Sequence, residues 1–311
     1  MSIDVPGVIS SFGSRGALVP LSRIEDIKQD MMALKNGPFH TDWLDKMVRH
    51  VTDASNPFLP SGISFDPCSL ISVVTPSPKV TLQFVFQGEE FDCAVPPHYT
   101  NWDLNNESML QDLKDYLAPH GYSVAMAKTF PQKMLAVHAG LGFYGRNNVY
   151  YHEEFGSYVQ LMTYVTDLPS KAGTWHPLRR MDQCSNCYVC VRACPTKAID
   201  SSRRLIDSDR CLTYYDEIPG EFPEWIDKKA HNCIIGCIKC QDCCSSNFEN
   251  KRNAQRGVAF TEEETNELLH WKENEPCSST LAEKLAMTGI PEEYTNMFPR
   301  NLAVLLEKRK V

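Results

Sequence analysis

Four cysteines spaced Cys184-x2-Cys187-x2-Cys190-x3-Cys194, followed at once by Pro195, carry the strongest chemical signal in the chain. Three thiolates two residues apart can wrap one iron–sulfur cube. The fourth, set off by a longer gap and a proline, points away and serves the other cube in two-cluster ferredoxins. Zinc ordinarily takes two separated pairs rather than three thiols in a row, so the spacing reads as 4Fe-4S chemistry. The chain holds 13 cysteines, ten of them from Cys184 to Cys244. Its opening, MSIDVPGVISSFGSRG, has neither a basic nor an apolar signal region. A reducing, cytoplasmic setting is therefore expected, where clustered thiols hold metal more often than they form disulfides.

Two clusters need eight ligands, and the downstream candidates are Cys211, Cys233, Cys237, Cys240, Cys243 and Cys244. Taking Cys211, Cys237, Cys240 and Cys244 gives a split copy of the first motif. Crossed ligation then assigns Cys184, Cys187, Cys190 and Cys244 to one cluster and Cys194, Cys211, Cys237 and Cys240 to the other. No proline follows Cys244 and Cys243 stands beside it, so the last ligand is either of the two, with Cys244 preferred. The roles of Cys233 and Cys277 stay open.

Gly140-Leu-Gly-Phe-Tyr-Gly145 matches the GxGxxG string formally. A dinucleotide fingerprint should follow a strand and open a helix. Here the order is reversed, with a helical pattern (Met134, Leu135, His138) before it and strand-like residues 148–152 after. The better reading is a turn where backbone passes close to a large flat ligand, since glycine removes the Cβ obstacle.

The elements that must position these groups are mixed. A helix runs through Ile24, Ile27 and Met31, with Ser22 as its candidate cap. Residues 71–75 and 80–87 are β-branched and aromatic runs bounded by proline, hence strands. Residues 106–117 place Met109, Leu110, Leu113, Tyr116 and Leu117 on one helical face. Residues 122–127 read as strand, 132–139 as helix and 158–166 as strand ending at Asp167-Leu-Pro169. The tail from residue 251 reads as helix, with amphipathic stretches at 262–270, 281–287 and 300–308. This alternation predicts an α/β (α+β) layer fold. Three segments are expected, at 1–175, 176–250 and 251–311.

With 311 residues, 42% hydrophobic, 23% charged and a net charge of −8, the chain is globular rather than disordered. No apolar run approaches the roughly 20 residues of a membrane helix. The acidic balance argues against broad nucleic-acid affinity. Some 175 residues precede the cysteine cluster, more than an electron carrier needs, so the clusters are expected to feed electrons to something that region holds.

Ala139-Gly-Leu-Gly-Phe-Tyr-Gly-Arg-Asn-Asn148, Glu154-Phe-Gly-Ser157 and Thr166-Asp-Leu-Pro169 together resemble the cobalamin-dependent epoxyqueuosine reductases. Pro195-Thr-Lys-Ala-Ile-Asp200, Arg210-Cys-Leu-Thr-Tyr-Tyr215, Gly236-Cys-Ile-Lys-Cys-Gln241 and Pro299-Arg-Asn-Leu-Ala303 continue the likeness, which covers roughly residues 95–311. The last of these looks like that family's helical-repeat extension. A more distant likeness connects the chain to reductive dehalogenases through Gly145-Arg146 and the TDLP strand end.

The resemblance implies a nitroreductase-like cobalamin-binding domain, a two-cluster ferredoxin-like domain and a short helical tail. Two 4Fe-4S clusters would pass electrons to a base-off cobalamin. By position, Gly140, Gly142, Phe143, Gly145, Arg146, Asn147, Gly156 and Ser157 would line the corrin site. The methyl-transfer corrinoid motif D-x-H-x-x-G is absent. The family's proton-donating aspartate, about 13 residues before the AGLG segment, falls on Met126, and a thioether cannot donate a proton. Tyr99, Tyr122 and Lys128 are the substitute acids to weigh against an ordinary structural role. His98, His120, His138 and His152 read as hydrogen-bonded structural histidines.

Three functions follow. The first is a cobalamin- and iron–sulfur-dependent reductase acting on a small molecule or modified nucleoside, with either its substrate or its proton donor changed from the family's, and drawing electrons from reduced ferredoxin or flavodoxin. The second is an electron-transfer or activation protein that reduces a corrinoid or a partner without substrate chemistry. The third is a cytoplasmic reductive dehalogenase-like enzyme. Arg179-Arg180, Arg203-Arg204, Lys228-Lys229 and Lys251-Arg252 could meet a tRNA backbone, but the acidic total favours reading them as a solvated face. No membrane partner is expected.

Overall fold

The computed structural model describes residues 3–37, 44–46, 48, 49, 58–127, 130–170, 175–202, 205–272 and 275–309. In chain order the principal elements are α1 (Val5–Ser11), β1 (Arg15–Pro20), α2 (Ile24–Lys35), β2 (Ser69–Pro76), β3 (Val80–Phe86), β4 (Glu89–Val95) and α3 (Trp102–Leu117). There follow β5 (Val124–Met126), α4 (Gln132–His138), β6 (Phe143–Tyr144), β7 (Tyr150–Tyr151) and β8 (Val159–Thr166). The remainder is α5 (Val189–Ala193), α6 (Leu212–Glu217), α7 (Lys239–Asp242), β9 (Gln255–Phe260), α8 (Glu262–His270), α9 (Ser279–Met287) and α10 (Phe298–Arg309), with single turns between them.

The chain divides into two compact units. The first comprises residues 1–76, 103–187 and 202–205, the second residues 77–102, 188–201 and 206–311. The expected segments 1–175, 176–250 and 251–311 follow chain order. The compact units do not, because the β3–β4 hairpin pairs with a strand from the tail.

In the first unit β1, β2, β8 and β5 form an antiparallel sheet in that order. The central strands, SLISVVTP and VQLMTYVT, are apolar on both faces and almost wholly buried. That is the signature of a sheet covered on both sides. Leu70 and Val165 face a core with Ile27 and Met31 of α2 and Leu135 of α4. The alternate residues Ile71, Val73, Met162 and Tyr164 face Val5 and Ile9 of α1 and Met109, Leu113 and Leu117 of α3. Ser22 does not cap α2: it sits in a 3-10 turn over Leu21–Arg23 that runs straight into the helix.

In the second unit the sheet order is β4-β3-β9, with β9 parallel to β3. Two of these strands escaped the sequence reading. The turn that makes β4 is Gln87-Gly88, both in the left-handed region (φ 55° and 77°), as a tight two-residue hairpin requires. β9 corrects the all-helical reading of the tail. Its Gln-Arg-Gly-Val run is short and mostly exposed, so hydrophobic periodicity carries little signal for it. Phe84 and Phe260 stack at 4.8 Å at the centre of a core completed by Leu268, Leu281, Phe298 and Leu302 of α8, α9 and α10. Thr261 and Glu264 close a capping box at the start of α8.

Candidate functional site

Within the first unit, Cys184 ends a 3-10 turn and is buried, whereas Cys187 is exposed. The loop between them is held by Arg146. Its guanidinium donates to the carbonyls of Cys187 at 2.9 Å, Ser185 at 3.3 Å and Cys184. Arg146 is itself buried. The residue expected along a corrin therefore spends its donors on the backbone that presents two thiols.

Within the second unit, the short helices α5 and α7 pack on each other. Cys190 lies in α5, Cys194 directly follows it and Cys240 lies in α7. Cys190, Cys194, Cys211 and Cys240 pack around Ala198 and Ile199 in one cluster. Cys237 packs beside Leu212, Ile226 and Ala230, close enough to Cys211 for their charges to interact.

The sulfurs of this group accept hydrogen bonds. Cys194 Sγ takes the Ala198 N–H at 3.2 Å and Cys237 Sγ takes the Asn232 amide at 3.1 Å. Cys211 receives bonds from the Thr213 and Tyr214 backbone and from the Thr213 hydroxyl. Burial pushes the Cys211 thiol up and the Cys237 thiol to about 11. Buried sulfurs surrounded by donors suit thiolates neutralised by iron, which such N–H···S bonds also tune. The donor set fits a 4Fe-4S cluster.

Three further thiols are distinguished by geometry. Cys243 Sγ points at the Cys240 carbonyl, 3.6 Å away, as a donor, and its backbone is helical (φ −83°, ψ −9°). Cys244 is extended (φ −78°, ψ 131°), like Cys194 (φ −67°, ψ 115°), each directly after a short helical turn. Cys244 is thus the conformational counterpart of Cys194. Cys233 is fully buried, its thiol donates toward Asn232 Oδ1 at 3.4 Å, and burial holds it protonated.

The glycine segment forms a loop between α4 and the β6–β7 hairpin. Helix precedes it and strand follows, the reverse of a dinucleotide fold. Gly140, Gly142 and Phe143 line a cavity of about 210 Å³ with Ser10, Arg15, His152 and Arg179. The Arg179 guanidinium lies 4.3 Å over the Phe143 ring, and its buried Nε has no hydrogen-bond partner among the described residues. His152 Nδ1 accepts the N–H groups of Glu154 (3.1 Å) and Phe155 (3.4 Å), so the ring proton sits on Nε2. Burial, reinforced by Arg15, lowers its pKa and keeps the ring neutral near pH 7. Gly145 and Asn147 build the hairpin instead: the Asn147 amide donates to the Tyr151 hydroxyl at 2.9 Å, and a Cβ on Gly145 would overlap Asn147. Gly156 pairs with His152 across a short bridge, and Ser157 is buried beside it.

The substitute acids are placed apart. Met126 ends β5 opposite Tyr164 and is half-buried, packed against the core that holds Met109 and Tyr164. Tyr122 packs against that same core. Tyr99 belongs to the second unit, is buried and donates to Glu217. Lys128 lies outside the described residues. His138 is buried between Asp30 (2.8 Å) and the His176 carbonyl (2.6 Å) and stacks on Trp175. Sequence reasoning missed Asn232 and the Arg146 tether, because their partners are known only once the loops are folded.

Residues 183–247 match the family model described as a 4Fe-4S double cluster binding domain. Fold and thiols together define the class, a mixed α/β protein with a two-cluster iron–sulfur domain. Among curated proteins, the epoxyqueuosine reductase of Gloeobacter violaceus is 35% identical over 134 residues, covering 42% of this chain and 40% of that protein. The epoxyqueuosine reductase of Cyclobacterium marinum is 31% identical over 169 residues, covering 54% of this chain and 53% of that protein. The chain thus matches about half the length, or less, of these curated relatives. The solved epoxyqueuosine reductase from Streptococcus thermophilus aligns over 99% of this chain and 82% of its own, with TM-score 0.62 and 15% identity. An epoxyqueuosine reductase solved with a tRNA-Tyr epoxyqueuosine-modified stem loop aligns over 98% and 80%, with TM-score 0.62 and 17% identity. At those identities the likeness is one of fold. Among the described residues, no helix is long and apolar enough to cross a membrane.

Proposed function

We propose that the protein is a cytoplasmic reductase that uses two 4Fe-4S clusters and a base-off cobalamin, akin to the epoxyqueuosine reductases. The gathering of Cys190, Cys194, Cys211 and Cys240 around Ala198 and Ile199, with N–H bonds onto the sulfurs of Cys194 and Cys211, carries the reading. Cys194, Cys211, Cys237 and Cys240 hold one cluster; Cys184, Cys187, Cys190 and Cys244 hold the other. Residues 1–175 serve the cofactor and substrate, 176–250 the clusters, and 251–311 support them. Reduced ferredoxin or flavodoxin supplies the electrons.

The cavity lined by Gly140, Gly142 and Phe143, with Arg15, His152 and Arg179 on its wall, suits the polar, amide-fringed rim of that cobalamin. This cavity, below the roughly 300–1,000 Å³ of a whole ligand pocket, takes one edge of a corrin. When bound, cobalamin supplies a strongly reducing metal centre. The chain's own part is to bind the rim and relay electrons.

The proton source separates this protein from its relatives. Met126 is half-buried against the core and, as a thioether, offers no acidic hydrogen. The substrate is a small molecule or modified nucleoside, and either it or the proton donor differs from that of the epoxyqueuosine reductases. A tRNA is not favoured: Lys228 pairs with Glu307, Arg252 with Glu249 at 3.4 Å, and Lys251 donates to the Asp242 carbonyl. Arg203 and Arg204 lie outside the described residues.

Anaerobic protein incubated with hydroxocobalamin and freed of unbound cofactor by gel filtration tests the reading through its absorbance and EPR spectra. About one base-off cobalamin and about eight irons per chain are expected. The same iron with no retained corrinoid would overturn the reductase and leave the second reading, an electron-transfer or activation protein. The commitment of Tyr99 to Glu217 and the thioether at Met126 favour that alternative. Halide release from a halogenated aromatic would instead identify a dehalogenase.

A further inference from the structure

We propose that Arg300 and Asn301 are positioning residues for the cluster held by Cys194, Cys211, Cys237 and Cys240; the inference rests on that ligand assignment. The two residues open α10, the last helix of the second unit, and sit in the Pro299–Ala303 stretch of the tail.

The helix that begins beside Cys211, α6, is six residues long, and the carbonyls at its far end have no partner within it. Arg300 takes them up. Its guanidinium donates to the carbonyls of Tyr215 (2.8 Å), Ile218 (2.8 Å) and Gly220 (2.5 Å) while lying 4.0 Å over the Phe222 ring. Asn301 links this segment to the next ligand-bearing one. Its amide donates to the Asp216 carbonyl at 3.0 Å and to the Ile234 carbonyl at 2.9 Å. Its oxygen accepts from Arg300 Nε (3.1 Å) and Nη2 (3.0 Å), so the pair acts as one rigid fork. Further along α10, Lys308 donates to the His231 carbonyl at 2.7 Å.

One face of one helix thus clamps the run after Cys211 to the run that leads into Cys237. Asn301 is buried among Phe298, Leu302 and Leu305. An amide in such an apolar seam is costly unless its hydrogen bonds are made, and both its donors are spent on cluster-bearing backbone. Packing alone would be served by a leucine there. Arg300 also brings a fixed positive charge to the far end of the helix that Cys211 caps, and a cation in the neighbourhood of a cluster favours its reduced, more negative form.

The test uses the full chain with its clusters reconstituted anaerobically, comparing wild type with Asn301→Leu, Arg300→Gln and Arg300→Lys by iron content, circular dichroism and EPR-monitored redox titration. Wild type should hold about eight irons. Asn301→Leu should lose about half of them, with the other cluster's signal and the secondary structure kept. Arg300→Gln should shift one cluster to a lower potential and leave the other unmoved. Arg300→Lys should recover the potential but not full iron retention. Wild type without two clusters would overturn the ligand assignment and this inference together. Two clusters in wild type, with full iron and unshifted potentials in all three variants, would overturn the clamp alone. Loss of both clusters together with the secondary structure in every variant would also overturn it, placing the pair among fold-holding residues.

Discussion

Tyr99 donates its phenolic hydrogen to Glu217, a partner 118 residues away, inside the second unit. The contact fixes the end of α6 against the turn after β4. Tyr99 also packs on Gly236, the residue before Cys237. A tyrosine read from sequence as a substitute acid thus braces the end of α6 and the turn before Cys237.

Burial lifts the Glu217 carboxyl from 4.5 to about 7; the Tyr99 hydrogen bond opposes the rise and the neighbouring Asp216 charge adds to it. The folded state then binds a proton that the unfolded chain releases at lower pH. This contribution to stability is full below about pH 4.5 and is lost as pH rises through about 7. Glu217→Gln should flatten that decline. Thermal midpoints of both proteins across this range check it, and parallel curves would refute it.

Gly236 has a left-handed backbone (φ 66°), and a Cβ there would overlap the Tyr99 ring and hydroxyl. Gly236→Ala combines an unfavourable φ with overpacking, together on the order of 3 kcal/mol. The variant should unfold at lower denaturant and lose iron from the Cys237 cluster. Chemical denaturation with iron analysis measures both.

Among the last thiols, Cys243→Ser and Cys233→Ser should keep the full iron complement, because those sulfurs act as thiol donors. Cys244→Ser and Cys194→Ser should each lose iron. Full iron in Cys244→Ser, paired with loss in Cys243→Ser, would reverse the choice between neighbours.

Removing the Arg146 tether leaves the carbonyls of Cys184, Ser185 and Cys187 without their cation. Hydrogen bonds to a charged group are worth about 1.5–3 kcal/mol each. Arg146→Met should therefore loosen the loop and release iron on dilution or mild chelation, while Arg146→Lys retains part of the hold. Time courses of iron release distinguish the two.

Much of this was legible in the chain. The central strands β2 and β8 announce themselves by apolar runs, and the reversed order of helix and strand around Gly140 by itself argues against a dinucleotide site. The 184–194 spacing specifies iron–sulfur ligation, because a cube is gripped by thiols a fixed few residues apart and that distance is written in sequence. What lay beyond reach involves partners far along the chain. β9 is a strand only because β3 offers it an edge. Arg146 could equally face a ligand, and only folding turns it onto the carbonyls of residues 184–187. Cys243 and Cys244 are chemically identical neighbours, told apart by a change of backbone conformation between them. Residue spacing determined the kind of chemistry; the burial and hydrogen bonding that assign each residue its part arise only when distant segments meet.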